Sequence, residues 1–249
     1  MTTHTGASAW ASLEAVEADV RVCKKCRLCE GRTNAVPGEG SSVAAIMFIG
    51  EGPGFNEDQQ GRPFVGRAGK LLDNMLEAVP LKRADVYITN VVKCRPPDNR
   101  DPEPDEVAAC WPYLEAQIAL IRPRVIATLG RHSMARFFPE GKISRDHGQV
   151  LKWRDIVVFP LYHPAAALRS GAVMEALAAD FKRLPEAVVE SLKSAPAPRK
   201  AGPGPQIHEP VALPEPGVPA APVATAAPAG DAGAQPERPP GETRQISLF

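Results

Sequence analysis

A short apolar run, Val43 to Ile49, empties into Gly50-Glu51-Gly52-Pro53-Gly54 and then into a polar, glycine-punctuated stretch that ends at Gly69. An apolar run bounded by glycine and proline reads as a buried strand. A glycine-rich loop at the carboxyl end of such a strand, leading into the helical pattern Lys70 to Val79, is where open α/β sheets place ligands. This loop carries one carboxylate at the strand exit, Glu51, and an aromatic side chain in polar surroundings, Phe64. Gly66 and Gly69 let backbone come close to a ligand. It has neither the P-loop spacing nor G-x-G-x-x-G, so it is not a nucleotide fingerprint.

The rest of the chain extends that beginning into a layered fold. Trp10 to Val22 has apolar positions at helical spacing (Leu13, Val16, Val20) and is predicted to be an amphipathic helix. Asp85 to Val92 is rich in β-branched residues and reads as a second strand, Arg124 to Leu129 as a third and Ile156 to Leu161 as a fourth. Between and after them lie the helical patterns Pro104 to Ile121, Arg131 to Phe138 and Ala172 to Leu192. Strands alternating with helices imply an α/β protein, a three-layer α/β/α sandwich on a mostly parallel four-stranded sheet. A parallel sheet gathers its strand ends on one edge, and three of those ends carry unusual polar residues: Glu51, Asn90 and His163. Each alone has an ordinary explanation, as a solvated charge, a turn former and a loop histidine; the three together form a candidate constellation.

Composition divides the chain. Proline, alanine and glycine dominate after Ser194 without apolar periodicity, so the folded domain is expected at 8–193 and an extended disordered linker at 194–244. The 29 basic and 29 acidic residues cancel, which excludes a bulk basic field as the means of holding a nucleic acid. No secretion signal and no apolar run of membrane-spanning length are seen, and a soluble cytoplasmic protein is the expectation. Cys23, Cys26 and Cys29 crowd into seven residues, with Cys94 and Cys110 far downstream. In a reducing compartment such clustering reads as metal ligation rather than disulfides. Four thiolates suit a structural zinc or an iron–sulfur cluster, and spacing does not separate the two.

The motifs Gly50 to Gly54, Gly61-Arg62-Pro63-Phe64-Val65-Gly66-Arg67-Ala68-Gly69-Lys70-Leu71-Leu72-Asp73, Tyr87 to Pro97 and His163-Pro164-Ala165 closely resemble those of family 4 uracil-DNA glycosylases, the bacterial and archaeal iron–sulfur type. The resemblance runs from about Cys23 to Arg169, in the family's order and spacing. It implies a 4Fe-4S cluster on Cys23, Cys26, Cys94 and Cys110 with a structural role, leaving Cys29 as the spare thiol. It also implies that the enzyme flips uracil out of DNA and hydrolyses its glycosidic bond, leaving an abasic site. The residues supply roles for that reaction: Gly50, Glu51 and Gly52 line the pocket, Phe64 stacks on the base and Asn90 accepts from N3–H while donating to O4. His163 donates to O2 as negative charge builds there, and Glu51 orients or deprotonates the attacking water.

DNA contacts are expected at Arg95, Arg100 and Arg169, with Leu168 as a wedge into the vacated stack. Gln245-Ile246-Ser247-Leu248-Phe249 resembles the peptide by which bacterial repair proteins bind the sliding clamp, with Gln245, Leu248 and Phe249 as anchors. A monomer is the expected state. One rival is a relative that traps uracil-DNA covalently through a histidine on an inserted loop; Lys93 to Glu106 has neither the histidine nor the insertion. A non-catalytic metal module that recruits the clamp would need the cysteines and the tail, but not Glu51, Phe64, Asn90 and His163 together.

Overall fold

A computed structural model describes residues 10–193 of the chain. The stretch 194–244 and the peptide with Gln245, Leu248 and Phe249 lie outside the described residues.

Six strands form one sheet: β1 (Glu39–Gly40), β2 (Ile46–Gly50), β3 (Tyr87–Asn90), β4 (Val125–Leu129), β5 (Leu151–Trp153) and β6 (Ile156–Leu161), in spatial order β1-β3-β2-β4-β6-β5. The inner four are parallel, in register Met47 with Tyr87, Ile46 with Val125 and Val125 with Val157. These are the four strands predicted from sequence, so the α/β/α class holds. The correction is two short antiparallel edges. At two and three residues, β1 and β5 are too brief for periodicity to register. β5 forms a hairpin with β6 that pairs Trp153 with Ile156 across Arg154, whose φ is 54°.

The inner strands are buried on both faces, and alternation assigns each residue to a layer. Met47, Ile49, Tyr87, Ile126 and Val158 face one side. Helix α1 (Leu13–Val22) and α5 (Pro104–Ile121) pack there through Val16, Val20, Tyr113, Leu114 and Ile118. Phe48, Ile88, Ala127, Phe159 and Leu161 face the other side, against α4 (Arg67–Glu77) and α9 (Gly171–Lys193) through Leu72, Leu76, Phe181 and Leu184. Phe48 and Phe181 stack with ring centroids 5.9 Å apart, and truncating either to alanine would cost about 3–5 kcal/mol.

Shorter helices occupy the connections: α2 (Leu28–Gly31), α3 (Phe55–Gln60), α6 (Arg131–Ala135), α7 (Ile143–Asp146) and α8 (Pro164–Ala167). Several expected boundaries move: the helix expected at Lys70 to Val79 runs Arg67–Glu77, the second strand shortens to Tyr87–Asn90 and the helix from Arg131 ends at Ala135. The first strand starts at Ile46, because Ser41 to Val43 make a turn and Val43 is exposed. The glycine-rich stretch is not one loop: it contains α3, capped where Glu57 accepts from Gly54 N–H at 3.2 Å and ended by Gly61 at φ 66°. Chain direction across the sheet reverses at β2, with β3 on one side and β4 on the other. The carboxyl ends of β2 and β4 thus form the switch point at which open α/β sheets place a ligand cleft.

Candidate active site

The parallel register brings the expected residues to one edge. Gly50 ends β2 directly beside Asn90 at the end of β3, and two further bonds, Val91 N–H to Gly50 O and Val92 N–H to Glu51 O, hold the two exits together. A Cβ built on Gly50 would stand 2.4 Å from Asn90 Oδ1 and 2.6 Å from Phe64 Cζ. Gly50 is thus the position where the Asn90 amide and the Phe64 ring converge. Asn90 is buried, and its Oδ1 has no hydrogen-bond partner. A buried acceptor without a donor costs on the order of 1–3 kcal/mol, a cost that a ligand N–H relieves.

Phe64 is held in an unusual way. Its φ is 51°, a left-handed conformation that non-glycine residues seldom adopt. Two features enforce it. Glu57 accepts from Val65 N–H at 2.9 Å and Gly66 N–H at 2.8 Å, folding the backbone back over α3. Gly69 lets α4 start against the Phe64 carbonyl, which a Cβ would meet at 1.9 Å. The Phe64 ring then lies 5.7 Å from the imidazole of His163.

His163 follows β6 and caps α8: its Nδ1 accepts from Ala165 N–H at 3.1 Å. That bond uses the Nδ1 lone pair, so the neutral ring carries its proton on Nε2. Burial pushes its pKa down to about 4, outweighing the Glu57 carboxylate, so the ring is a neutral donor at physiological pH. Glu51 is half-buried and its pKa is pushed up to about 7 by burial, then by the neighbouring Asp101 carboxylate, against the pull of Arg131.

The expected nucleic-acid contacts divide. Arg169 and Leu168 are exposed just beyond α8, Leu168 at 39%. Arg95 donates from Nε to Asn99 Oδ1 at 2.8 Å and lays its guanidinium over the exposed ring of Phe55, 5.2 Å from the centroid. Arg100 already has a structural partner. It grips Glu106 with two bonds of 2.9 and 2.6 Å, and Arg27 adds a third at 2.9 Å.

The cysteines converge on one pocket lined by Cys23, Cys26, Cys94 and Cys110, with Cys29 and Arg32 among its other walls. All five thiols are free of disulfides. Lys93 N–H donates to Cys110 Sγ at 3.2 Å and Arg32 donates to Cys94 Sγ at 3.0 Å, the N–H···S contacts that metal-bound thiolates take. Four sulfurs from the end of α1, the segment just ahead of α2, the exit of β3 and α5 therefore face one pocket and make a donor set suited to metal, although among the described residues no three of them lie within 4.8 Å of one another as around a single ion. Cys29 lines the same pocket.

Several residues were missed by sequence reasoning. Asp101, Arg131 and His132 surround Glu51, and Arg131-His132 leave β4 at the same edge as the other strand exits. The strand-end rule would have found them, but the helical pattern from Arg131 claimed them first. Lys93 is fully buried, donating to Thr89 Oγ1, Asn90 O and Gln117 Oε1 at 2.6–2.7 Å, so it ties the Asn90 backbone to the wall of the cysteine pocket. No local pattern marks a lysine as buried.

The family model for the uracil DNA glycosylase superfamily matches residues 37–184. The chain is similar to the type-4 uracil-DNA glycosylase of Sulfurisphaera tokodaii, 52% identical over 188 residues covering 72% of this chain and 86% of that one. It is similar to the type-4 enzyme of Saccharolobus solfataricus at 51% over 187 residues, 71% and 87% of the two chains. Against the type-4 enzyme of Archaeoglobus fulgidus it is 46% identical over 184 residues, 70% and 92% of the two chains.

Proposed function

Since the chain belongs to the type-4 branch of the uracil-DNA glycosylase superfamily, we propose a division of its uracil excision among named residues. The reaction is hydrolysis of the N-glycosidic bond of uracil in DNA, which leaves an abasic site and starts repair. The base is shielded by stacking in a duplex, so it is extruded into a pocket before chemistry.

The observation that carries the residue assignment is the unpartnered Asn90 Oδ1, buried beside the space that Gly50 leaves open. Uracil N3–H supplies the missing donor and O4 accepts from the amide Nδ2. Cytosine presents an unprotonated N3 and an amino group at those positions, so both contacts fail at once, at about 1–3 kcal/mol each. Phe64 stacks on the base, while Gly52 lets the strand exit close against Val92 and Pro96. Departure of the base leaves negative charge on its carbonyl oxygens. The Nε2–H of His163 meets O2 and strengthens as that charge grows, with no proton transfer from an imidazolium. Glu51, in its ionised form, orients or deprotonates the attacking water and favours the cationic sugar.

Asn90→Ala is expected to lower kcat/KM on a uracil-containing oligonucleotide by about 100-fold or more, read as alkali-induced strand scission. A variant within about threefold of wild type would remove Asn90 from base recognition.

At the cysteine pocket we assign a 4Fe-4S cluster to Cys23, Cys26, Cys94 and Cys110. Its chemistry when bound is that of a cross-link between the amino-terminal segment and α5, without a redox step. Arg32 and the Lys93 amide serve the sulfurs as donors. Iron and acid-labile sulfide in the purified protein, with broad visible absorption, would support the assignment; zinc in their place would overturn it. Thiols without disulfides among the described residues suit the reducing cytoplasm. Arg95 and Arg169 are the phosphate contacts and Leu168 the wedge, while Arg100 shapes the loop from behind through Glu106. For Gln245, Leu248 and Phe249 the reading is a tethered sliding-clamp peptide; clamp retention unchanged by deleting 245–249 would end it.

A further inference from the structure

Around Glu51 stands a set of charged groups that base recognition does not use. Glu51 leaves β2, Arg131 and His132 leave β4, and Asp101 comes from the segment ahead of α5, so three separate parts of the chain meet at the point where strand order reverses. One ligand atom each from Glu51, Asp101 and His132 lies within 4.8 Å of the others. Arg131 binds the outer side of this group: Nη2 donates to Asp101 Oδ2 at 3.0 Å and Nε to His132 Nε2 at 2.8 Å. His132 Nε2 is 3.1 Å from Asp101 Oδ2 and 3.9 Å from Glu51 Oε2.

Protonation follows from these contacts. Burial lowers the His132 pKa against the raising pull of Asp101, with Arg131 lowering it further, so the ring is neutral at physiological pH. His132 therefore supplies shape and not charge. The spacing resembles a divalent-cation site, yet the Arg131 guanidinium donates to two of its three groups and places a positive charge beside them. What remains around Glu51 is one carboxylate and one guanidinium. Other charged groups on the surrounding elements are engaged elsewhere: Glu57 with the Gly54, Val65 and Gly66 amides, Arg100 with Glu106, and His163 as a neutral ring.

We propose that Asp101 and Arg131 are positioning residues for Glu51, acting on its carboxyl with opposite sign: Asp101 holds a proton on it, Arg131 draws the proton off, and their balance sets the pH above which Glu51 serves the attacking water. This rests on the reading of Glu51 given above. Two carboxylates a few ångströms apart in a half-buried site cannot both ionise freely. Asp101 is the more exposed and has Arg131 as its partner, so Glu51 is the one that keeps the proton. Raising pH through about 7 frees the Glu51 carboxylate, and the rate rises with it.

The test is the pH dependence of the single-turnover rate on a uracil-containing oligonucleotide for wild type, Asp101→Asn, Arg131→Gln and Glu51→Gln. Wild type is expected to show an acid limb near pH 7. Asp101→Asn should move that limb to lower pH by about one unit, a tenfold gain in ionised Glu51 on its acid side, and Arg131→Gln should move it to higher pH. Displacements of opposite sign are not produced by a merely structural role, whatever the plateau rates become. The proposal is overturned if both limbs move the same way or neither moves. If instead Glu51→Gln keeps the wild-type rate and limb, the reading of Glu51 itself fails, an outcome distinct from the first.

Discussion

A missing methyl group is the most demanding requirement of the site. Gly50 has no need of unusual backbone angles, since it sits in a regular strand; what it supplies is space between the Asn90 amide and the Phe64 ring. In Gly50→Ala the new Cβ would press on two side-chain ends, not on backbone, so the fold can survive while the uracil position closes. Expected is a loss of kcat/KM of roughly 100-fold or more, with a melting temperature changed by only a few degrees. Near-wild-type turnover would mean that the base lies elsewhere. Glu51, Phe64, Asn90 and His163 could be read from the chain because each is an odd residue at a recognisable strand exit or within a glycine-rich stretch. Asp101 and Lys93 could not, because only the fold brings Asp101 beside Glu51 and no local pattern marks Lys93 as buried; His132 was masked by the helical pattern that starts at Arg131. The left-handed backbone of Phe64 was equally hidden: its causes, Glu57 and Gly69, flank it in sequence but act through folded geometry.

Elements were legible where they were long. The four inner strands and α5 follow from apolar runs and periodicity, whereas β1, β5 and α3 depend on pairing or capping that no local pattern of two to six residues can announce. What fastens the elements is also partly concealed. Glu106, in the first turn of α5, has no accessible side-chain surface and accepts from Arg100, the Glu103 amide and Arg27. It thereby ties the segment beyond α1 and the loop beyond β3 to one helix end. These partners, Arg100 foremost, hold its pKa down at about 2, below its unfolded value of 4.5. A depressed folded pKa contributes stability that is complete above the unfolded value and is lost as pH falls toward the folded one. At neutral pH the contribution is roughly 3 kcal/mol, or ~6–12 °C in a domain of this size. Glu106→Gln should therefore melt lower at pH 7, and the gap to wild type should shrink between about pH 5 and pH 3. A gap that is constant across that range would show that Glu106 packs without carrying charge.

On the scale of the whole molecule, 29 basic and 29 acidic residues leave no net attraction for a polyanion, so DNA must be held by few contacts around one cleft. Among the described residues many arginines are already paired with the protein's own carboxylates. Arg27 and Arg100 are on Glu106, Arg62 and Arg83 on Glu39, and Arg145 on Asp146. Arg169 and Arg95 flank the site without a carboxylate partner among the described ion pairs, and Arg131 shares its charge with Asp101. Each phosphate neutralised on a duplex adds about −0.9 to the slope of log K against log salt. Two or three such contacts give an expected slope of about −2 to −3 on a uracil-containing duplex, far shallower than for a protein with a broad basic face. Arg169→Ala should flatten it by about one and weaken uracil- and thymine-containing strands alike, because a phosphate contact carries no base information. Fluorescence-anisotropy titrations at several salt concentrations measure both. A slope near −8 would reveal a basic surface that the charge balance hides, whereas a weakening confined to uracil-containing DNA would move Arg169 from the backbone grip into base recognition.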